Sequence, residues 1–377
     1  MKSLKTIFNV LTISIILFFI LNFVLGKVWE LRTHYKFKNF KPYDDVVLKA
    51  LNLSEQDGLT LYLETFIDRK FEYEQFTEHA ENNGYENKFV NVTPDLGRKT
   101  LTPSNCEQNI FFYGGSTTFG YNVTDEQTIS SYLGKYFIEQ GIKICVKNYG
   151  RGSCFSTQEN ILFQKHILNS KISSNDIIIF IDGINENGNR NSRNTEYLFQ
   201  ANKIINEKYW DMYKQTFSVF FNSLAINQFI LRLKKKLNLK INKTNNLTQQ
   251  NIFDIADDAK DVFQKNIYFR EGICEKLKLN CFTFLQPFAT LHGVYFEKIP
   301  SGAVENRPLN IDENKKLKNK FELIKDTNGI IDISNSLINE IELSYVDGVH
   351  YSPEANKKIA FSICLLYTSD AADELLG

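Results

Sequence analysis

The sequence lacks most of the signatures that assign a chain quickly. It has no charge excess: 44 basic and 44 acidic residues cancel over 377 positions. A chain so balanced presents no basic field to nucleic acid, and none is expected as a partner. Among six cysteines there is no Cys-x-x-Cys pair, and none neighbours a histidine at metal-ligand spacing. The five histidines, at 34, 79, 166, 292 and 350, are scattered, so no metal centre is expected. No cofactor is expected either. The glycine-rich run GGSTTFG at 114–120 has no lysine after it to hold a phosphate. Position 118 is Thr, which excludes the G-x-S-x-G nucleophile elbow. Disorder is excluded by an aromatic content of 14%.

What is present begins at the N-terminus. Residues 7–25, IFNVLTISIILFFILNFVL, carry no charge over 19 positions. As a helix the run covers about 28 Å, the thickness of a bilayer's hydrocarbon core. It is longer than a secretory h-region, and no A-x-A-like cleavage site follows. Residues 1–26 therefore read as an uncleaved signal anchor, and the chain as a single-pass membrane protein; a cleaved signal peptide and a buried core helix are the alternatives. Lys2 and Lys5 precede the span, while Lys27, Arg32, Lys36 and Lys38 follow it, so the positive-inside count leaves orientation open. The body is placed on the extracytoplasmic side, because one N-terminal span ahead of a large body commonly serves export. There, Cys106 could pair with Cys145 and Cys274 with Cys281; free buried thiols are the alternative.

Residues 27–105 read as a polar and aromatic lead-in: a helix in LSEQDGLTLYLETFI, then irregular structure with no evident chemistry. His79 in this stretch reads as a packing or surface residue. From 106 the pattern changes. NIFFY (109–113), KICVK (143–147), DIIIFI (176–181) and CFTFLQ (281–286) are short continuous apolar runs, as in a parallel sheet covered on both faces. Helical segments lie between them. STQENILFQKHIL opens with a Ser156–Glu159 capping box, and SSYLGKYFIEQ stops at Gly141. The alternation predicts a doubly wound α/β sheet over 106–363, with ligands at the carboxyl ends of the strands. Residues 187–255 interrupt it as a helical insertion. Within it, 217–237 reads as a helix packed on the sheet or, through Arg232 and Lys234 to Lys236, resting on anionic lipid. The last stretch, CLLYTSDAADELLG (364–377), departs from the pattern and reads as a non-native tail.

The loops after the strands carry the chemistry. The first holds GGSTTFG, the second NYGRGSCFSTQE (148–159) and the third DGINE (182–186); near the end comes YVDGVHYSPEAN (345–356). A serine hydroxyl is a poor nucleophile unless a base takes its proton. His350 is the natural base for Ser116, since imidazole titrates near neutral pH. Asp347, three residues earlier, can accept the Nδ1 proton and fix the tautomer. Ser352 as N-cap and Pro353 at the first helical position hold this pair just ahead of a helix. Oxyanion donors are available in the backbone N–H of Ser116, a backbone N–H in the Gly150–Ser153 turn, and the side-chain amide of Asn185. His166 reads as a packing or surface residue. His292, in QPFATLHG, could line the site or end a turn.

Over residues 108–363 these four blocks, in this order, resemble the SGNH (GDSL-type) hydrolase superfamily. The resemblance implies a three-layer α/β/α sandwich with a parallel, flavodoxin-like sheet. It implies Ser116 as nucleophile, Asp347 and His350 completing a triad, and Ser116, Gly152 and Asn185 as oxyanion donors. Two positions depart from the commonest spelling. Gly115 stands where Asp is frequent, although some large subgroups share Gly-Gly-Ser. The glycine of the second block falls on Gly152 or is replaced by Ser153. The expected function is a membrane-anchored serine esterase acting on a small-molecule or carbohydrate ester, an O-acetyl carbohydrate among them, through an acyl-serine intermediate. An envelope O-acyltransferase on the same triad and a non-catalytic carbohydrate-binding or assembly module are the alternatives.

Overall fold

The computed structural model describes residues 2–37, 40–72, 74–81, 84–94, 97–187, 224, 226, 249–289, 321–337 and 343–376. The chain divides into two compact units, one of residues 1–40 with 195–249, the other of residues 41–194 with 250–377. In the first unit a single helix, α1 (Lys2–Phe37), is described along its length. Its stretch Phe8–Val28 is long and apolar enough to cross a membrane. Large apolar side chains along it, Phe8, Leu17 and Phe23 among them, are exposed. The 217–237 segment and His292 lie outside the described residues, save Leu224 and Ile226.

The second unit is built on a seven-stranded sheet. Its centre comprises β5 (Gln108–Gly114), β6 (Ile144–Asn148), β7 (Ile177–Asp182) and β8 (Asn280–Leu285). These are the four strands expected from the apolar runs. With β9 (Ile331–Asp332) they are parallel, in the order β6-β5-β7-β8-β9. Counted from β5, that is the doubly wound order 2-1-3-4-5. Register is continuous: Phe112 pairs with Asn148 on one side and Ile179 on the other.

The strands alternate between two cores. Ile110, Phe112, Ile177, Ile179 and Ile181 pack with Ile129, Leu133 and Phe137 of α5 (Ile129–Gln140) and with Ile359 and Ile363 of α8 (Pro353–Leu376). Phe111, Tyr113, Ile178 and Phe180 face the other way, against Leu162 and Phe163 of α6 (Ser156–Leu168) and Cys274 of α7 (Gln249–Leu277). Three layers result, as the resemblance implied, because each strand buries both faces. A buried Phe in such a core contributes about 3–5 kcal/mol relative to Ala.

The lead-in is woven into this unit. α2 (Asp45–Leu51) is capped by Asp44 and α3 (Glu55–Phe66) by Ser54. The expected irregular stretch then contains four two-residue strands. β1 (Phe71–Glu72) pairs with β2 (Ala80–Glu81), and β3 (Val92–Thr93) with β4 (Gly97–Arg98). β4 also pairs in parallel with β6 and extends the main sheet by two strands. Strands this short carry no alternation to read. Buried Glu64 accepts the N–H groups of Lys88, Phe89 and Val90, and buried Arg98 pairs with Asp125 at 2.8 Å.

Of the two alternatives left open from the sequence, the disulfides are the one found: Cys106–Cys145 and Cys274–Cys281 are bonded, with Cα separations of 5.4 and 6.2 Å. Helix α5 ends on Gly141 at φ 69°, as expected. The Ser156–Glu159 capping box is not formed. Phe155 is the N-cap, and the α6 N-terminus is satisfied by Glu186, which accepts from the Ser156 N–H (2.7 Å) and Oγ (3.0 Å). Glu159 instead turns inward, buried beside Arg270 and Asp182. At the chain's end, α8 continues to Leu376, and Cys364, assigned to the tail from sequence, is buried in the α5–α8 core. Helix α7 starts at Gln249, inside the stretch read as an insertion.

Candidate active site

Every loop singled out from the sequence lies at the carboxyl edge of the sheet. Strand β5 ends at Gly114, and the short helix α4 (Ser116–Phe119) follows with Gly115 as its N-cap. Ser116 is thus the first helical residue, its N–H without an intrahelical acceptor. A Cβ on Gly115 would lie 2.2 Å from Asn185 Nδ2. A side chain at this position would have to displace the Asn185 amide, which packs directly on Gly115.

Ser116 Oγ lies 2.9 Å from His350 Nε2, and His350 Nδ1 lies 2.7 Å from Asp347 Oδ2. Asp347 Oδ1 accepts the backbone N–H groups of Val349 (2.8 Å) and His350 (2.7 Å). Burial alone would raise the Asp347 carboxyl. The charge on His350 and the hydrogen bonds from His350 and Val349 outweigh it and hold the group below the ordinary carboxylate range. The acid is ionised at neutral pH, as a partner for an imidazolium must be. Ser352 caps α8 by accepting from the Ala355 N–H at 3.2 Å, as expected, and fixes the end of the His350 loop.

The imidazole is held by more than its acid. Tyr121 stacks on it with centroids 5.1 Å apart and planes at 17°. The guanidinium of Arg69 covers Tyr121 at 4.4 Å and Phe119 at 4.3 Å. On the nucleophile loop, Thr117 Oγ1 donates to Gln286 Oε1 at 2.7 Å, tying α4 to the end of β8.

The second block forms a tight turn, and here the structure corrects one expectation. The Gly152 N–H points to Glu81 Oε1 at 3.3 Å, away from the role of oxyanion donor. The Gly152 carbonyl accepts from His79 Nε2 at 2.8 Å. Both polar atoms of that peptide position are held by the lead-in. Ser153 sits at φ 62°, the left-handed region a glycine would favour. Asn185 donates one amide hydrogen to the Cys154 carbonyl at 2.5 Å, which leaves the second N–H of its amide for another acceptor.

His79 therefore braces the turn after β6. His166 is a core residue: buried, its Nδ1 2.7 Å from the Tyr113 hydroxyl, and pushed down to about 3 by burial and nearby cations. No group of metal-binding side chains is found among the described residues.

Three residues near the triad were not anticipated from sequence: Tyr43, Asn122 and Tyr121. Asn122 Nδ2 donates to Asp347 Oδ2 at 2.6 Å, and Tyr43 Oη donates to Asn122 Oδ1 at 2.7 Å. Asn122 had one weak signal: it follows the nucleophile block closely in a Gly-Tyr-Asn turn, where a positive φ is easily adopted. Tyr43 had none.

No family model matches the chain, and no curated protein matches it. Among solved structures it is similar to a member of the lipolytic protein G-D-S-L family from Veillonella parvula DSM 2008, at 11% identity and a TM-score of 0.36, over 69% of this chain and 98% of that one. It is similar to the acetyl xylan esterase AlAXEase at 12% identity and a TM-score of 0.34, over 68% of this chain and 98% of that one. It is likewise similar to Axe2, an acetylxylan esterase from Geobacillus stearothermophilus, at 11% identity and a TM-score of 0.34, over 69% and 93% of the two chains. Likenesses of this size decide nothing about chemistry, which rests on the side chains described above.

Proposed function

We propose that the chain is a membrane-anchored serine esterase that cleaves an acyl ester through an acyl-serine intermediate. The observation that carries this reading is the unbroken line Ser116 Oγ–His350 Nε2–His350 Nδ1–Asp347 Oδ2, at 2.9 and 2.7 Å, at the carboxyl edge of a parallel sheet. Ser116 Oγ attacks the ester carbon while its proton passes to His350 Nε2. The imidazolium is stabilised by ionised Asp347. The oxyanion takes hydrogen bonds from the Ser116 N–H and the Asn185 amide. As the C–O bond breaks, His350 returns the proton to the leaving alkoxide. Water then repeats the sequence on the acyl-serine, with His350 as base, and releases the carboxylic acid.

The exposed apolar stretch of α1 supports an anchor, and the two disulfides support an oxidising, extracytoplasmic location for the body. The test is labelling of the detergent-solubilised full chain with a fluorophosphonate, followed by peptide mapping and assay with p-nitrophenyl acetate. Label on Ser116 and loss of turnover in Ser116→Ala are expected. Absence of label, or turnover surviving in Ser116→Ala, would overturn the reading.

A further inference from the structure

We propose that Tyr43 and Asn122 form a positioning relay that holds Asp347, and through it His350, in register with Ser116; this rests on the esterase reading. The acid receives four hydrogen bonds, which fills the acceptor capacity of a carboxylate. Three come from its own turn, from Val349 and His350. These bonds shape the turn internally and would travel with it if it shifted. Only the fourth, from Asn122, comes from elsewhere. Asn122 stands shortly after Ser116 on the nucleophile loop, at φ 63°. Beside the Ser116–His350 contact and the Tyr121 stack, that bond ties the acid itself to the loop bearing the nucleophile.

An asparagine can present either end of its amide. Presenting oxygen to Asp347 would set an acceptor against a carboxylate. The carboxylate therefore selects the NH2 end, and Tyr43 holds the other end of the amide by donating its hydroxyl to Asn122 Oδ1. Tyr43 is buried, and burial together with the nearby Asp347 charge pushes its phenol well above the ordinary value. It remains a donor throughout the working pH range. The relay thus runs in one direction, from a phenol on the lead-in to the triad acid. Its three members are widely separated in sequence, by 79 residues between Tyr43 and Asn122 and by 225 between Asn122 and Asp347.

The experiment uses the detergent-solubilised full chain and the variants Tyr43→Phe and Asn122→Ala, singly and together, with Ser116→Ala as the inactive control. Tyr43→Phe keeps the ring and removes one hydroxyl. It should lower kcat about tenfold with KM changed less than about twofold, the scale for one buried hydrogen bond. Asn122→Ala should lower kcat by roughly ten- to a hundredfold, and Tyr43→Phe should add nothing in that background. A merely structural role would lower the thermal midpoint and leave kcat of the folded enzyme unchanged. The His350 Nδ1–H resonance, read by proton NMR, should shift and broaden in Tyr43→Phe. This readout needs no turnover. If the parent neither hydrolyses esters nor takes the label, the esterase reading falls while the resonance still tests the relay. An unchanged resonance in Tyr43→Phe, or full additivity of the two substitutions, would overturn it.

Discussion

Replacing Asp347 by Asn should lower kcat by about 10⁴, the scale for the same change in Ser–His–Asp enzymes. The structure shows why a nearly isosteric change does so much. Oδ1 is pinned by the backbone N–H groups of Val349 and His350, which cannot become acceptors. An asparagine must therefore put its carbonyl there and its NH2 where Oδ2 stood. That NH2 meets two donors, His350 Nδ1–H at 2.7 Å and Asn122 Nδ2 at 2.6 Å. His350 escapes by moving its proton to Nε2. The Ser116 hydroxyl, 2.9 Å away, then faces an N–H and has no base. A 10⁴-fold loss corresponds to about 5.4 kcal/mol of transition-state stabilisation at 1.36 kcal/mol per tenfold. The assay is initial-rate hydrolysis of p-nitrophenyl acetate by the solubilised full chain, with near-UV circular dichroism to establish that the fold is intact. A fall of less than tenfold in a folded variant would refute the tautomer argument and the place of Asp347 in the triad.

Asn185→Ala should reduce kcat by roughly 10²–10³ through loss of one oxyanion donor, and an unchanged kcat would remove Asn185 from the site. Exchange of both Cys106 and Cys145 for serine opens a loop of 39 residues and should cost about 4 kcal/mol by loop entropy; a thermal midpoint within a degree of the parent would show the bond to be dispensable. Glu186 is pushed up to about 8 from 4.5 by burial first and by Asp182 second, with Arg270 and Ser156 opposing. Between those pH values the folded state keeps a proton that the unfolded chain has lost, so stability declines as pH rises through this window and the loss is complete above about pH 8. Glu186→Gln cannot ionise, so its thermal midpoint should gain on the parent's from pH 5 to pH 9; a difference that does not vary with pH would contradict the raised value.

The central sheet was legible because each strand is buried on both faces and reads as an unbroken apolar run. The line from Ser116 through His350 to Asp347 was legible because four blocks follow in one order and the Asp-x-x-His pair stands just ahead of a capped helix. What escaped the sequence depends on single side chains arriving from far along the chain. The Ser156–Glu159 pattern satisfied the local rule for a capping box, but Glu186 reaches Ser156 from the next strand-end loop and displaces Glu159 into the Arg270 cluster. Gly152 looked like the oxyanion donor because glycines permit close approach. Nothing local could reveal that Glu81 and His79 take its N–H and its carbonyl. Sequence periodicity reports which face of an element is buried, and it is silent on which polar partner waits there.

The same long-range contacts decide where the catalytic unit begins. A boundary at residue 105, natural on apolar pattern alone, would cut away Tyr43, Glu64, Arg69, His79, Glu81 and Arg98. The remaining chain would keep Asp125 buried without its Arg98 partner, a loss of about 3–5 kcal/mol when one member of a buried pair is removed. Asn122 Oδ1 and the Gly152 N–H would lose the partners they have, at about 1–3 kcal/mol for each group that stays buried. Strands β3 and β4 would no longer cover β6. Losses of this size are comparable with the whole stability of a domain, about 5–15 kcal/mol. A chain starting at residue 106 should therefore fail to give a cooperative thermal transition, whereas one starting at Lys41, where the compact unit begins, should retain both the transition and fluorophosphonate labelling of Ser116. Cooperative unfolding and full labelling of the shorter chain would mean that the lead-in is an accessory to the site, with no part in holding the triad acid or the turn after β6.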